Sequence, residues 1–83
     1  MQAQVDEFLD FLAAEKGYSG NTLAAYRNDL TQFTQHLIDQ ASAARWAEVS
    51  QSQIVEYILH MKELEYASST VARKVAAIKS FFH

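Results

Sequence analysis

Ser19 to Leu37 reads SGNTLAAYRNDLTQFTQHL. Within it Leu23, Tyr26, Leu30, Phe33 and Leu37 follow one another at alternating spacings of three and four. That alternation lays every large apolar side chain on one stripe of a 3.6-residue helix, whereas a strand would need a period of two. Ser19 supplies the start, because its hydroxyl can accept an otherwise orphaned amide near Asn21 or Thr22. The stretch therefore predicts an amphipathic helix from Ser19 to about Gln40.

Working outward, Gly17 stands just before this helix and supplies the left-handed residue on which helices commonly stop. A first helix, from about Ala3 to Lys16, ends there and carries Val5, Phe8, Leu9 and Leu12 on one face. Its acids crowd the early turns, where the helix dipole favours them. On the other side, Ala41 to Glu48 reads as a connector with one short turn, and its Trp46 reads as a lid over the core. Ser50-Gln51-Ser52-Gln53 is a capping box, with Val49 placed to staple onto Ile54. The third helix that follows buries Ile54, Tyr57, Ile58, Met61 and Leu64, while Val55 and Leu59 lie off that face. A fourth helix starts after Ser68-Ser69-Thr70 and buries Val71, Val75, Ile78 and Phe82. It is still helical in pattern at the last residue, which suggests a piece of something longer. The expected fold is all-α, a four-helix orthogonal bundle in one domain, residues 1–83.

Composition agrees. The 83 residues contain no proline, no cysteine and two glycines, which favours helix and removes disulfides and thiolate metal sites. Absence of cysteine suits a reducing cytoplasm. No apolar run approaches the roughly 20 residues of a membrane span. The formal net charge of −3 argues against a nucleic-acid partner only until its distribution is read. Asp6, Glu7, Asp10 and Glu15 precede the first base, whereas Arg73, Lys74 and Lys79 occupy an acid-free stretch from Tyr66 to His83. Screening confines each charge to about 10 Å at 0.1 M salt, so local balance matters more than the total.

Nothing organises the polar residues into a catalytic set. His60 and Glu63, three apart, have no third ligand nearby and read as solvated surface; His36 and His83 have no metal-like spacing to anything. No nucleophile elbow and no glycine-rich phosphate loop is present, and no cofactor is expected. The aromatic side chains Phe8, Tyr26, Phe33, Tyr57 and Phe82 fall on core stripes. The fourth helix carries one further pattern. Opposite Val71, Val75 and Ile78 its face holds Ser69, Arg73, Ala76, Ala77 and Ser80, with Lys74 and Lys79 flanking the core stripe. Small side chains around a basic residue let a helix backbone approach a phosphate chain closely; an ordinary solvated face with alanine as helix former reads the same way.

The chain carries Phe8-Leu9-x-Phe11-Leu12, then Glu15-Lys16-Gly17-Tyr18-Ser19-x-Asn21-Thr22-Leu23-x-x-Tyr26-Arg27-x-Asp29-Leu30-x-x-Phe33. It continues through Val49-Ser50, Ile54-x-x-Tyr57-Ile58 and Thr70-Val71-Ala72-Arg73-Lys74-Val75-x-Ala77-Ile78-Lys79-Ser80-Phe81-Phe82. In their joint order and spacing these stretches resemble the opening of tyrosine recombinases of the Xer and phage-integrase kind. The resemblance implies a SAM-like core-binding domain that closes, with a catalytic domain of the same parent chain, as a C-shaped clamp on double-stranded DNA at a recombination half-site. The family's use of its second and fourth helices points to Asn21, Thr22 and Arg27, and to Ser69, Thr70, Arg73 and Lys74. It also implies neighbouring protomers of a recombinase tetramer as partners. The family's catalytic residues belong to the other domain, so Tyr18, Tyr26, Tyr57 and Tyr66 are not its nucleophile and this chain alone is not expected to be an enzyme. Relatives are commonly more basic in helix 2, where this chain has only Arg27 beside Asp29; that implies weak DNA affinity on its own. A competing expectation is a helical protein-interaction module without DNA binding, for which the negative charge and the spare apolar residues Val55, Leu59 and Phe81 speak.

Overall fold

Helix α2 (Gly20–Asp39) is the axis on which the other helices pack. Its 20 residues, at a rise of about 1.5 Å each, span about 30 Å, most of the 35 Å long dimension of the molecule. Around it stand α1 (Gln2–Phe11), α3 (Gln51–Glu63) and α4 (Ser68–Phe82). A π turn (Leu12–Lys16) prolongs α1, and a 3₁₀ turn (Trp46–Glu48) interrupts the connector between α2 and α3. This computed structural model describes residues 1–82, and among them there is no strand. His83 lies outside the described residues.

The expected start signals operate. Ser19 Oγ accepts from the amide of Thr22 at 3.2 Å, and Gln53 Oε1 accepts from the amide of Ser50 at 2.8 Å. Gly17 closes the first helix at φ 63°. The ends of α2 and α3 close in the same left-handed way without glycine. Ala41 adopts φ 51° and Glu65 φ 62°, so that Ser42 N donates to Leu37 O at 2.9 Å and Tyr66 N to Met61 O at 3.1 Å. These are Schellman closures, which satisfy carbonyls that the helix end would leave bare. A Cβ in this region is strained.

One cluster forms the core. Val5 and Leu9 come from α1, Leu30, Phe33 and Leu37 from α2, Tyr57 and Met61 from α3, and Val71 and Ile78 from α4, with Ala43 added by the connector. The Phe33 ring lies 5.1 Å from Tyr57 and 6.1 Å from Trp46 between centroids. Trp46 is the lid that its place in the connector suggested: it meets Phe81 at 4.7 Å and its Nε1 donates to the Met1 carbonyl at 2.9 Å.

Two helix faces depart from expectation near their ends. Leu64 is 54 % exposed and Phe82 is 42 % exposed: Leu64 caps α3 just past its last helical residue, and Phe82, the last residue of α4, meets Trp46 and Phe81 at the edge of the core. On α4 the buried face is turned by about one position relative to the apolar pattern. Lys74 and Ala77 are buried and Phe81 is half-buried, so Ala77 does not lie on the outer face and Lys74 does not merely flank the core. The reason is polar: α2 offers Lys74 two oxygen acceptors at that point.

Candidate nucleic-acid interface

Asp29 sits one residue before Leu30 on α2 and is only 1 % exposed. A carboxylate taken out of water needs partners, and four donors meet this one. Arg73 Nε reaches Oδ2 at 3.2 Å and Arg73 Nη2 reaches Oδ1 at 3.0 Å. Lys74 Nζ reaches Oδ1 at 3.0 Å, and Asn28 Nδ2 adds a longer bond at 3.3 Å. The Lys74 ammonium also donates to Gln32 Oε1 and lies 6.0 Å from the centre of the Tyr66 ring. One carboxylate thus ties consecutive cations of α4 to the middle of α2. The two ion pairs differ in setting: the Lys74 side chain is 4 % exposed and that of Arg73 is 54 % exposed.

Above this network a shallow groove of about 390 Å³ runs between α2 and α4. Asn21 and Thr22 line it at the start of α2, Arg73 lines it from α4, and Tyr26 and Asp29 complete the polar lining. Ala25, Ala76 and Ala77 make up the rest, so the two helix backbones approach the groove with little side chain between. Three of the residues singled out from the sequence, Asn21, Thr22 and Arg73, therefore meet in one place although more than fifty positions separate the first from the last. Ser69 and Thr70 lie on the first turn of α4, Ser69 exposed and Thr70 half-buried, outside the groove lining.

The other two are placed differently. Arg27 turns away to α1, where its Nη1 donates to Asp6 Oδ1 at 2.9 Å with both side chains about half exposed. That guanidinium, helped by the Gln2 amide, holds the Asp6 carboxyl below its ordinary range. Lys74 is buried with its ammonium bonded to Asp29 and Gln32, so its charge is not presented at the surface. Asp29 itself was missed. The signal was there: a carboxylate three residues after Tyr26 and four before Phe33 falls inside the apolar arc of α2, where only a paired acid is stable.

A second polar cluster joins α2 to α3. The rings of His36 and His60 are 4.7 Å apart, and His36 lies 4.9 Å from Tyr57. No group of three metal-binding side chains exists among the described residues, so this is a packing contact. Burial, then the charge of His60, lowers the pKa of His36 from 6.5, against the opposing pull of Glu56 and Asp39. Burial chiefly, with Tyr66 and Asp29 nearby, pushes the Tyr57 hydroxyl up to about 12. Because folded His36 binds a proton less readily than the unfolded chain, its effect is neutral well above pH 6.5 and costs stability as the pH falls through that value. The midpoint of urea unfolding should drop between about pH 7.5 and about pH 5.5, and His36→Gln should flatten the drop. An equally steep drop in the variant would remove His36 as its source.

Comparison with known proteins matches residues 5–83 to the family described as "Phage integrase, N-terminal SAM-like domain". Among curated proteins, "Tyrosine recombinase XerC" of Herpetosiphon aurantiacus is 46 % identical over 82 residues, 99 % of this chain and 26 % of the relative. "Tyrosine recombinase XerC" of a Roseiflexus species is 48 % identical over the same shares. "Tyrosine recombinase XerD" of Oceanobacillus iheyensis is 31 % identical over 81 residues, 98 % of this chain and 27 % of the relative. No solved structure matches. The chain spans about a quarter of the length of these relatives (26 % of the first). With an all-helical architecture, a family match over residues 5–83 and relatives that align along nearly all of this chain, the chain belongs to the family of phage-integrase N-terminal SAM-like domains.

Proposed function

We propose that this domain is the DNA-clamping N-terminal part of a tyrosine-type site-specific recombinase, and that it meets the recombination half-site through α2 and α4. The observation that carries the reading is the groove in which Asn21, Thr22 and Arg73 converge over small residues. Donors of this kind fix a duplex by its phosphates, and backbone approach needs small side chains. The contacting set is Asn21, Thr22 and Arg73 in the groove, with Ser69 and Thr70 beside it on the first turn of α4. Arg27 joins it by leaving its exposed partner Asp6. Lys74 acts from below rather than by touching DNA. Strand cleavage belongs to the catalytic domain of the parent, which closes the clamp from the other side, and neighbouring protomers complete the assembly. The compartment is the cytoplasm, where the DNA is; no described helix is long and apolar enough to cross a membrane. A second reading, a protein-interaction module, draws on Val55 and Leu59, both exposed one turn apart on α3.

Titration of a short duplex into labelled protein at low salt separates the two. The amides of Asn21, Thr22, Ser69, Thr70 and Arg73 should shift together, with an affinity of about 10⁻⁴ to 10⁻⁶ M that falls with salt by a slope of about −0.9 per phosphate contact. Arg73→Gln, which keeps a donor for Asp29, should weaken binding about tenfold, the loss of one good charged hydrogen bond, without unfolding the domain. Shifts confined to Val55 and Leu59, or none at low salt, would favour the interaction module.

A further inference from the structure

We infer that Asp29 and Lys74 together form a charge-neutral anchor that positions Arg73 for a phosphate, an inference that rests on the DNA-clamp reading. Of the three charged residues in the network Arg73 is the exposed one, and it lines the groove beside Asp29. Its Nε and Nη2 are held by the two oxygens of Asp29, a fork geometry that fixes the guanidinium plane. Its Nη1 makes no hydrogen bond among the described residues, which leaves donors of the guanidinium free for a ligand. An unanchored surface arginine must give up its rotamer freedom when it binds. Arg73 has already done so.

Anchoring by a carboxylate has a drawback, because the anchor's negative charge cancels the cation it holds. Lys74 removes the drawback. Its ammonium lies 3.0 Å from Asp29 Oδ1 with its side chain 4 % exposed, so the carboxylate is balanced from beneath. The cluster of one acid and two bases keeps one net positive charge, and the exposed member that carries it to the groove is Arg73. Position and charge are therefore supplied by different residues, and they can be removed separately.

The test compares two variants against Arg73→Gln, all binding the same mixed-sequence duplex over a range of salt. Asp29→Asn combined with Lys74→Met removes one charge of each sign, so the cluster stays at one net positive charge while Arg73 loses its carboxylate. Binding should weaken roughly two- to tenfold, the cost of immobilising one long side chain, with the salt slope unchanged. Lys74→Met alone keeps Arg73 in place and leaves Asp29 unbalanced, so the salt slope should become shallower by about 0.9, one phosphate's worth. Unaltered or tighter binding by the double variant overturns the anchor and leaves the clamp reading intact, provided Arg73→Gln binds weakly. If Arg73→Gln binds like the parent, the clamp reading fails and the anchor with it. Should the double variant not fold, the unaltered domain decides: an order parameter for the Arg73 Nε–H bond below about 0.6 marks a flexible side chain and overturns the anchor, and a higher one supports it.

Discussion

Asp29→Ala should cost this domain about 3–5 kcal/mol of folding stability, the usual penalty for removing one partner of a buried ion pair. The reason lies less in the lost bonds than in what they leave. Lys74 is 3 % exposed, and without Asp29 its ammonium keeps only the neutral Gln32 oxygen and the Tyr66 ring. A domain of this size has only about 5–15 kcal/mol to lose, so the variant should be partly unfolded at 37 °C. Lys74→Met should be far milder, because Asp29 retains Arg73 and Asn28 and the methylene stem of the lysine is replaced by one of similar bulk. The combination Asp29→Leu with Lys74→Met should recover much of the loss, since well-packed apolar substitutes for a buried pair are often neutral. Chemical unfolding followed by circular dichroism measures all three. A penalty for Asp29→Ala of less than about 1 kcal/mol, the range of exposed pairs, would mean that Lys74 finds water.

Phe33→Ala should have an effect of the same size for a different reason. Phe33 is fully buried at the centre of the α2 seam, with Tyr57 on one side and Trp46 on the other. Truncating such a ring removes its transfer energy and leaves a cavity that four anchored helices cannot fill, together about 3–5 kcal/mol. At roughly 4–8 °C per kcal/mol for a domain of this length, the midpoint should fall by at least about 12 °C. Trp46, the single tryptophan, lies against the lost ring and reports the change directly by its emission. Phe33→Leu, which keeps most of the volume, should lose much less. Equal losses for leucine and alanine would show that the ring's shape, not the cavity, sets the cost.

The helices were legible because their apolar spacing is regular and their starts carry side-chain caps. Ser19, Ser50 and Gln53 each accept or donate as local geometry requires, and no long-range information enters. The end of α2 near Gln40 was legible from where its apolar seam stops, whereas the left-handed closures of α2 and α3 were not, since Ala41 and Glu65 do the work usually given to glycine. Leu64 and Phe82 obey the apolar pattern yet lie outside the core, because periodicity records which face a side chain is on and not whether a neighbour reaches that far along. The site divides in the same way. Asn21, Thr22 and Arg73 were identified and do converge. The burial of Lys74 could not be read from α4 alone, because it depends on Asp29 and Gln32 of a helix 42 to 45 positions away. A buried polar network is a tertiary fact. Its only local trace is a charged residue inside an apolar arc.

The π turn at Leu12–Lys16 bears on how this domain can vary in length. Such a turn is in effect an α-helical turn with one residue added, its bonds reaching one position further back. Leu12 is the last buried side chain before α2, and Ala13, Ala14, Glu15 and Lys16 all face solvent. The spare residue therefore sits where nothing in the core depends on register. Losing it would return the segment to plain α-helix while Val5, Leu9 and Leu12 kept their places, and Gly17 would still turn the chain into Ser19. The junction ahead of the groove-lining helix thus carries one residue of slack, where a change of one residue in length would reach neither the hydrophobic cluster nor the groove between α2 and α4.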